Sequence, residues 1–256
     1  MDILYLNSGN VHLLDYIMVP AWVIVNSRKC FGNRITAGQV MPDIADLQKI
    51  LSARLPGNNE FSIKIRGRKI MAAVIRHDEN NLIAASIKYN DTPGVMILST
   101  TEDCISRMPE FINHINNAGA IENILIVDDD PHIIETYSSM LDLLGYRTDQ
   151  YTSPLDALDS MGNNGYDLLI SDYDMPGMNG FELISSVCDR QPGTPVILIS
   201  GSARFPSGVF SSELKNCMIS FMNKPVTMID LTRALEVTEF FYRISLFNCG
   251  QESPAK

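Results

Sequence analysis

The chain has 256 residues, 45% of them hydrophobic and 20% charged, with a formal net charge of −10. That length allows two domains of ordinary size, and the composition is that of a globular protein rather than a disordered one. An acidic chain without a basic stripe is a poor nucleic-acid surface, and no apolar run approaches the roughly 18 to 20 residues of a membrane span. Met1-Asp-Ile-Leu lacks the basic start of a signal peptide. Cysteines 30, 104, 188, 217 and 249 are scattered without CxxC spacing, which suggests reduced thiols in a cytoplasmic protein. The histidines are equally scattered and offer no zinc-type site.

The first 118 residues read as one unit. Met18 to Val25 is apolar and β-branched, Asn26-Ser-Arg-Lys is a polar turn, and Cys30 to Ile35 completes a hairpin. Ile44, Leu47, Ile50 and Leu51 give Asp43 to Leu55 a helical spacing. Strand-like runs follow at Phe61 to Ile65 continuing through Lys69 to Ile75, at Leu82 to Tyr89 and at Val95 to Ser99. A short antiparallel sheet with helices to one side is an α+β arrangement.

This order resembles a PAS domain, on Pro20-Ala-Trp-Val-Ile-Val-Asn26 with Asn33 nearby and the closing Val95-Met-Ile-Leu-Ser-Thr-Thr-Glu-Asp103. The resemblance implies a sensory, dimerising or effector module, with a homodimer as one assembly open to it. A degenerate α+β domain used only for contact stays open beside it. No cofactor is expected here, and Trp22 and His77 read as core and loop residues. Ser106 to Asn117 has helical spacing, and Asn116-Asn-Ala-Gly-Ala120 ends it, which places a boundary at about 119.

From Ile121 the pattern alternates. Strands are expected at Ile124 to Val127, Arg147 to Tyr151, Leu168 to Asp172, Thr194 to Ser200 and Cys217 to Met222. Helices are expected after Asp128-Asp129-Asp130-Pro131, after Ser153-Pro154, from Gly180 to Cys188, within Phe205 to Asn216, and from a capping-box start at Thr227-Met-Ile-Asp230. Five βα units predict a doubly wound parallel sheet, with the flavodoxin-like strand order 2-1-3-4-5 the expected choice.

In such a sheet the carboxyl ends of strands one, three, four and five converge, and they carry Asp128 and Asp129, Asp172, Ser200 and Lys224. Carboxylates crowded into one cleft repel unless a divalent cation neutralises them, and hard oxygen ligands favour Mg²⁺ or Mn²⁺. Asp172 would then be an ionised nucleophile towards phosphorus. Lys224 can act as a point charge on Asp172 or on a phosphoryl oxygen, and Ser200 as a hydroxyl donor to it.

This half of the chain, about residues 121 to 240, resembles the receiver domain of two-component response regulators. The likeness rests on Ile124-Leu-Ile-Val-Asp-Asp-Asp130, Ser171-Asp-Tyr-Asp-Met-Pro176 with Gly180, Ile199-Ser200-Gly201 and Lys224-Pro225. It implies that Asp172 is the phosphoacceptor, and that Asp128, Asp129, Asp172 and the backbone carbonyl of Asp174 hold the metal. It further implies that Ser200 is the switch hydroxyl, that Phe221 is the rotameric aromatic switch, and that Lys224 is the conserved-type lysine, with a cis bond to Pro225 permitted. Serine at 200 where threonine is common is a mild departure.

The implied role is a cytoplasmic phosphorelay regulator of the bacterial type, not an enzyme. Its donor would be a histidine kinase or histidine phosphotransfer protein, and a protein target would meet the face of strands four and five. Only a polar tail follows about Leu246, so no DNA-binding output is expected, and the output would be a protein contact or the first unit itself. One alternative is a phosphorylation-independent receiver-fold adaptor. Another is a haloacid-dehalogenase-like phosphatase, suggested by Asp172-Tyr-Asp174 but opposed by chain order. A relay component that passes the phosphoryl group onward is not distinguishable from an endpoint regulator by sequence.

Overall fold

The computed structural model describes residues 120–162, 164–201 and 218–245, the helix at 108–117, and in the first hundred residues the strands together with 9, 10 and 13. The backbone clusters into two compact units: Ala120–Thr238, and a unit that joins Met1–Gly119 to the chain from Glu239 onward.

In the first unit the strands are β1 (Leu4–Leu6), β2 (Ala21–Val25), β3 (Arg28–Gly32), β4 (Glu60–Ile65), β5 (Arg68–His77), β6 (Asn80–Tyr89) and β7 (Thr92–Thr100). They form one sheet in the order β3-β2-β7-β6-β5-β4, with β1 parallel beside β6. The expected hairpin and the three expected runs are all present. The run from Phe61 to Ile75 is two antiparallel strands, with Ile65 paired to Arg68 around the Arg66-Gly67 joint. The short β1 went unforeseen because three residues carry no readable period. The helix expected over Asp43–Leu55 lies outside the described residues. Helix α1 (Met108–Asn117) follows the sheet and buries Ile115 completely.

The second unit runs β8 (Asn123–Val127), α2 (Pro131–Leu143), β9 (Arg147–Tyr151), α3 (Pro154–Ser160), β10 (Leu168–Asp172), α4 (Gly180–Arg190), β11 (Val196–Ser200), β12 (Ile219–Asn223) and α5 (Met228–Ser245). All its strand pairs are parallel and the order is β12-β11-β10-β8-β9, the 2-1-3-4-5 order expected of a flavodoxin-like receiver fold. The segment expected to hold a loop and short helix at 205–216 lies outside the described residues.

The strands read as unbroken apolar runs because both faces of the sheet are covered. Alternation along each strand splits the core in two. Leu125, Val127, Leu169, Val196, Leu198, Ile219 and Phe221 point to the face that packs α3 and α4. Ile124, Ile126, Ile170, Ile197, Ile199 and Met222 point to the face that packs α2 and the first half of α5.

The helix ends follow from local chemistry. Asp130 caps α2 by accepting from the His132 N–H, with Pro131 in the first turn. Asn179 and Glu182 form a reciprocal capping box on α4, and Thr227 and Asp230 exchange the same pair of bonds at the start of α5. At the amino end of the sheet the Asp167 carboxylate accepts from the backbone N–H groups of Glu122 and Asn123, which ties β8 to the strand that carries Asp172.

Two features depart from expectation. Cys188 is disulfide-bonded rather than a free thiol. Scattered spacing gave no sign of this, because spacing reports chelate motifs and not pairs that the fold brings together. The last helix also does more than close the sheet. Its carboxyl-terminal residues belong to the first unit, where Phe240, Phe241 and Ile244 are buried and the Arg243 guanidinium donates both to the Ile115 carbonyl at 2.9 Å and to the buried Glu239 carboxylate. Among the described residues no helix is long and apolar enough to cross a membrane.

Removing one member of a buried ion pair strands the other charge away from water. Arg243→Ala is therefore expected to lower the stability of the first unit by about 3–5 kcal/mol. A urea titration of the full chain would show this as an early transition that the substitution Asp230→Ala, at an exposed cap, does not reproduce.

Candidate functional site

Strand register builds the site. Val127 lies opposite Ser171 and Ile199 opposite Asp172, so the residues that leave β8, β10 and β11 meet at one end of the sheet. Ser200 lies opposite Asn223, and the Lys224 N–H donates to the Ser200 carbonyl at 2.8 Å, which holds the lysine at the mouth of the same cleft. The Lys224–Pro225 peptide bond is cis.

At the centre, the Lys224 ammonium lies 2.8 Å from Asp128 Oδ2 and 2.6 Å from Asp172 Oδ1. Both carboxylates are buried, at 2% and 4% exposure, and the lysine is partly open. The remaining oxygens are used as well: the Asp130 N–H donates to Asp128 Oδ1 at 3.0 Å, and the Asp174 N–H to Asp172 Oδ2 at 2.8 Å. Burial pushes the Asp128 carboxyl above its usual range, and its hydrogen bonds from Lys224 and the Asp130 N–H only partly offset this. Burial alone would depress the Lys224 ammonium, but the two carboxylates it bridges outweigh that and hold it above its ordinary value. The ammonium is thus locked in its charged form, a fixed cation between two anions.

Ser200 is fully buried, and its hydroxyl donates to Asp174 Oδ2 at 3.4 Å, at the long end for such a bond. Phe221 is buried in the core on the α3 and α4 face. Asp129 is exposed beside the cleft, whereas the third acid of the run, Asp130, is consumed as a helix cap. The structure therefore brings Asp128, Asp172, Ser200 and Lys224 together, sets Asp129 at the rim, and places Phe221 on the strand that leads to the lysine.

Gly180 explains the tight entry of α4. A Cβ there would sit 2.6 Å from the Asp172 carbonyl oxygen and 2.7 Å from Leu198 Cδ1. The first turn of the helix packs directly on the Asp172 backbone, and only glycine permits the approach.

Two neighbours of the site escape sequence reasoning. Tyr137 is buried on α2, its hydroxyl pushed up to about 12 by burial, with Lys224, Asp128 and Asp172 close enough to act on it. Its helical spacing marks it only as a core position. The Asp174 side chain meets Ser200, where sequence gave a role to its carbonyl alone.

The donor set is all oxygen, which suits a hard cation such as Mg²⁺ and not a soft metal. Among the described residues no three acid, histidine or cysteine side chains gather as a group that could hold a metal ion.

Residues 124–236 match the family of the response regulator receiver domain, and this segment is such a domain. The chain is 31% identical over 114 residues to the transcriptional regulatory protein GlrR of Escherichia coli, covering 44% of this chain and 25% of GlrR. It is 31% identical over 122 residues to the response regulator protein TmoT of Ectopseudomonas mendocina, covering 48% of this chain and 54% of TmoT. The chain thus spans about a quarter of the length of one relative and about half of the other. Among solved structures, the response regulator TrrA of Thermotoga maritima, in complex with Mg(2+)-BeF, is 26% identical with a TM-score of 0.39, over 43% of this chain and 93% of that one.

Gly180→Ala forces overlap with backbone and is expected to cost about 1–3 kcal/mol of receiver stability. Because the overlap is with Asp172 itself, phosphoryl uptake should fall more than the folded fraction does, measured on the same sample by thermal melting and by phosphate incorporation.

Proposed function

We propose that this protein is a response regulator of a two-component phosphorelay that accepts a phosphoryl group on Asp172. The observation that carries the reading is the Lys224 ammonium bridging Asp128 and Asp172 at one end of a receiver sheet. Asp172 attacks the phosphorus of a phosphohistidine on a histidine kinase or phosphotransfer protein. The Oδ–P bond forms as the P–N bond breaks, and the leaving imidazole takes up a proton.

Asp128, Asp129, Asp172 and the Asp174 carbonyl would hold Mg²⁺, or Mn²⁺ in its place. The ion, when bound, supplies charge neutralisation for the incoming phosphoryl oxygens. Lys224 pairs with one of those oxygens and Ser200 donates its hydroxyl to another. As Ser200 is drawn in, Phe221 follows it. The face of β11, β12 and α5 is remodelled and presented to a protein target.

In this reading the chain works by binding, not by turnover, and sits in the cytoplasm with its donor, where a disulfide at Cys188 would be transient. Residues 1–118 are read as a PAS-like sensory, dimerising or effector module and residues 119–246 as a receiver. The largely antiparallel sheet of the first unit, with β1 added in parallel and the hairpin of β2 and β3 joined to β7, supports that assignment. The output is a protein contact or the first unit itself. GlrR is named a transcriptional regulatory protein, so the assay for output includes DNA as well as proteins.

Incubation with acetyl phosphate and Mg²⁺ should give about one acid-labile, hydroxylamine-sensitive phosphate per chain, lost with EDTA and lost in Asp172→Asn. Beryllofluoride should change which proteins the chain retains. If Asp172→Asn retains the same proteins with the same affinity as the beryllofluoride-treated wild type, the chain is a phosphorylation-independent adaptor and the relay reading is wrong.

A further inference from the structure

The contact between Ser200 and Asp174 has no part in phosphoryl transfer as set out above. Ser200 is fully buried at the end of β11, and its hydroxyl donates to Asp174 Oδ2 at 3.4 Å. Asp174 is exposed, and its own N–H holds Asp172 Oδ2 at 2.8 Å. One residue therefore touches both the phosphoacceptor and the hydroxyl that would receive the phosphoryl group. With Asp172 Oδ1 taken by Lys224, an extra carboxylate stands on the open side of the cleft.

We propose that the Asp174 carboxylate is a resting-state latch: it occupies the Ser200 hydroxyl and must release it before a phosphoryl group on Asp172 can take its place. The idea rests on the phosphoacceptor reading of Asp172.

Two physical effects act in the same direction. A hydroxyl has one hydrogen to donate, so a bond to Asp174 and a bond to a phosphoryl oxygen exclude each other. A carboxylate beside Asp172 also opposes an incoming dianion. The length of the bond suits a latch that yields, because bonds stretched to that distance are weak. Asp174 is accordingly a positioning residue that sets the balance between resting and phosphoryl-bound forms. Its backbone carbonyl, the expected metal ligand, is untouched by a side-chain substitution.

The test is the affinity of the full chain for beryllofluoride in excess Mg²⁺, measured by calorimetry or by the ¹⁹F signal of the bound ion. Asp174→Ala should bind roughly five- to tenfold more tightly than wild type, at the low end of coupling between linked states. Asp174→Asn keeps an acceptor for Ser200 but loses the charge, and should fall between the two. A gain in affinity is not something a damaged fold produces. The coupling must run through the hydroxyl: in a Ser200→Ala background the same Asp174→Ala change should have at most half its effect on the binding free energy.

Equal affinity of wild type and Asp174→Ala overturns the latch while leaving the phosphoacceptor reading standing. Full additivity with Ser200→Ala also overturns it, since the effect would then be charge alone. If wild type itself fails to bind beryllofluoride, the phosphoacceptor reading falls, and the latch with it.

Discussion

The ammonium of Lys224 between Asp128 and Asp172 is the constraint on which the second unit depends. Two carboxylates at 2% and 4% exposure cannot stay ionised side by side without a cation, and the sheet supplies one from its last strand. This requires that the end of β12 reach across β11 to the ends of β10 and β8, which the strand order and register deliver. It also requires a rigid floor, provided by the two apolar cores on either face and by Gly180, which lets α4 press against the Asp172 backbone. The compensation is incomplete. One ammonium faces Asp128 and Asp172, with Asp129 at the rim, so the cleft keeps a deficit of positive charge. A hard divalent cation would fill that deficit, and a phosphoryl group would bring its own anionic oxygens only with such a cation present.

Much of this was legible in the chain. Apolar runs that end on Asp128, Asp172, Ser200 and Asn223 state both that the strands are buried and where they stop, since Pro and Gly forbid continuation at Pro131, Pro176 and Gly201. Chain order then fixes which ends converge, because a crossover connection in a parallel sheet has one favoured hand. The antiparallel strands of the first unit were equally readable, since polar and glycine-containing joints separate the apolar runs.

What escaped has a common cause: each missed feature depends on where side chains go after folding, not on a repeating pattern. The disulfide at Cys188 needs a pair that spacing does not mark. The carboxyl-terminal part of α5 has the period of any amphipathic helix, and nothing in that period says that Arg243 donates both to Glu239 and to the Ile115 carbonyl in the first unit. Asp174 was read for its backbone because the motif around Asp172 gives its spacing and not its rotamer.

The strengths of the contacts around the cleft are graded in a way that bears on switching. Lys224 is held by two short ion pairs, and Asp172 by one of these and by a backbone N–H at 2.8 Å. The proposed reaction would need those groups in fixed positions, because in-line attack tolerates little misplacement. The Ser200 hydroxyl meets Asp174 at 3.4 Å, a longer contact than these, and Phe221 is buried in the apolar core on the α3 and α4 face. Packing in a core is lost and regained between discrete arrangements, whereas a bridged ion pair in a buried site resists any displacement. The firmly held groups are thus Asp128, Asp172 and Lys224, and the more weakly held hydroxyl is at the end of β11. Under the proposed function, displacing the long Ser200–Asp174 hydrogen bond is one step by which a phosphoryl group would change the face that a partner would read.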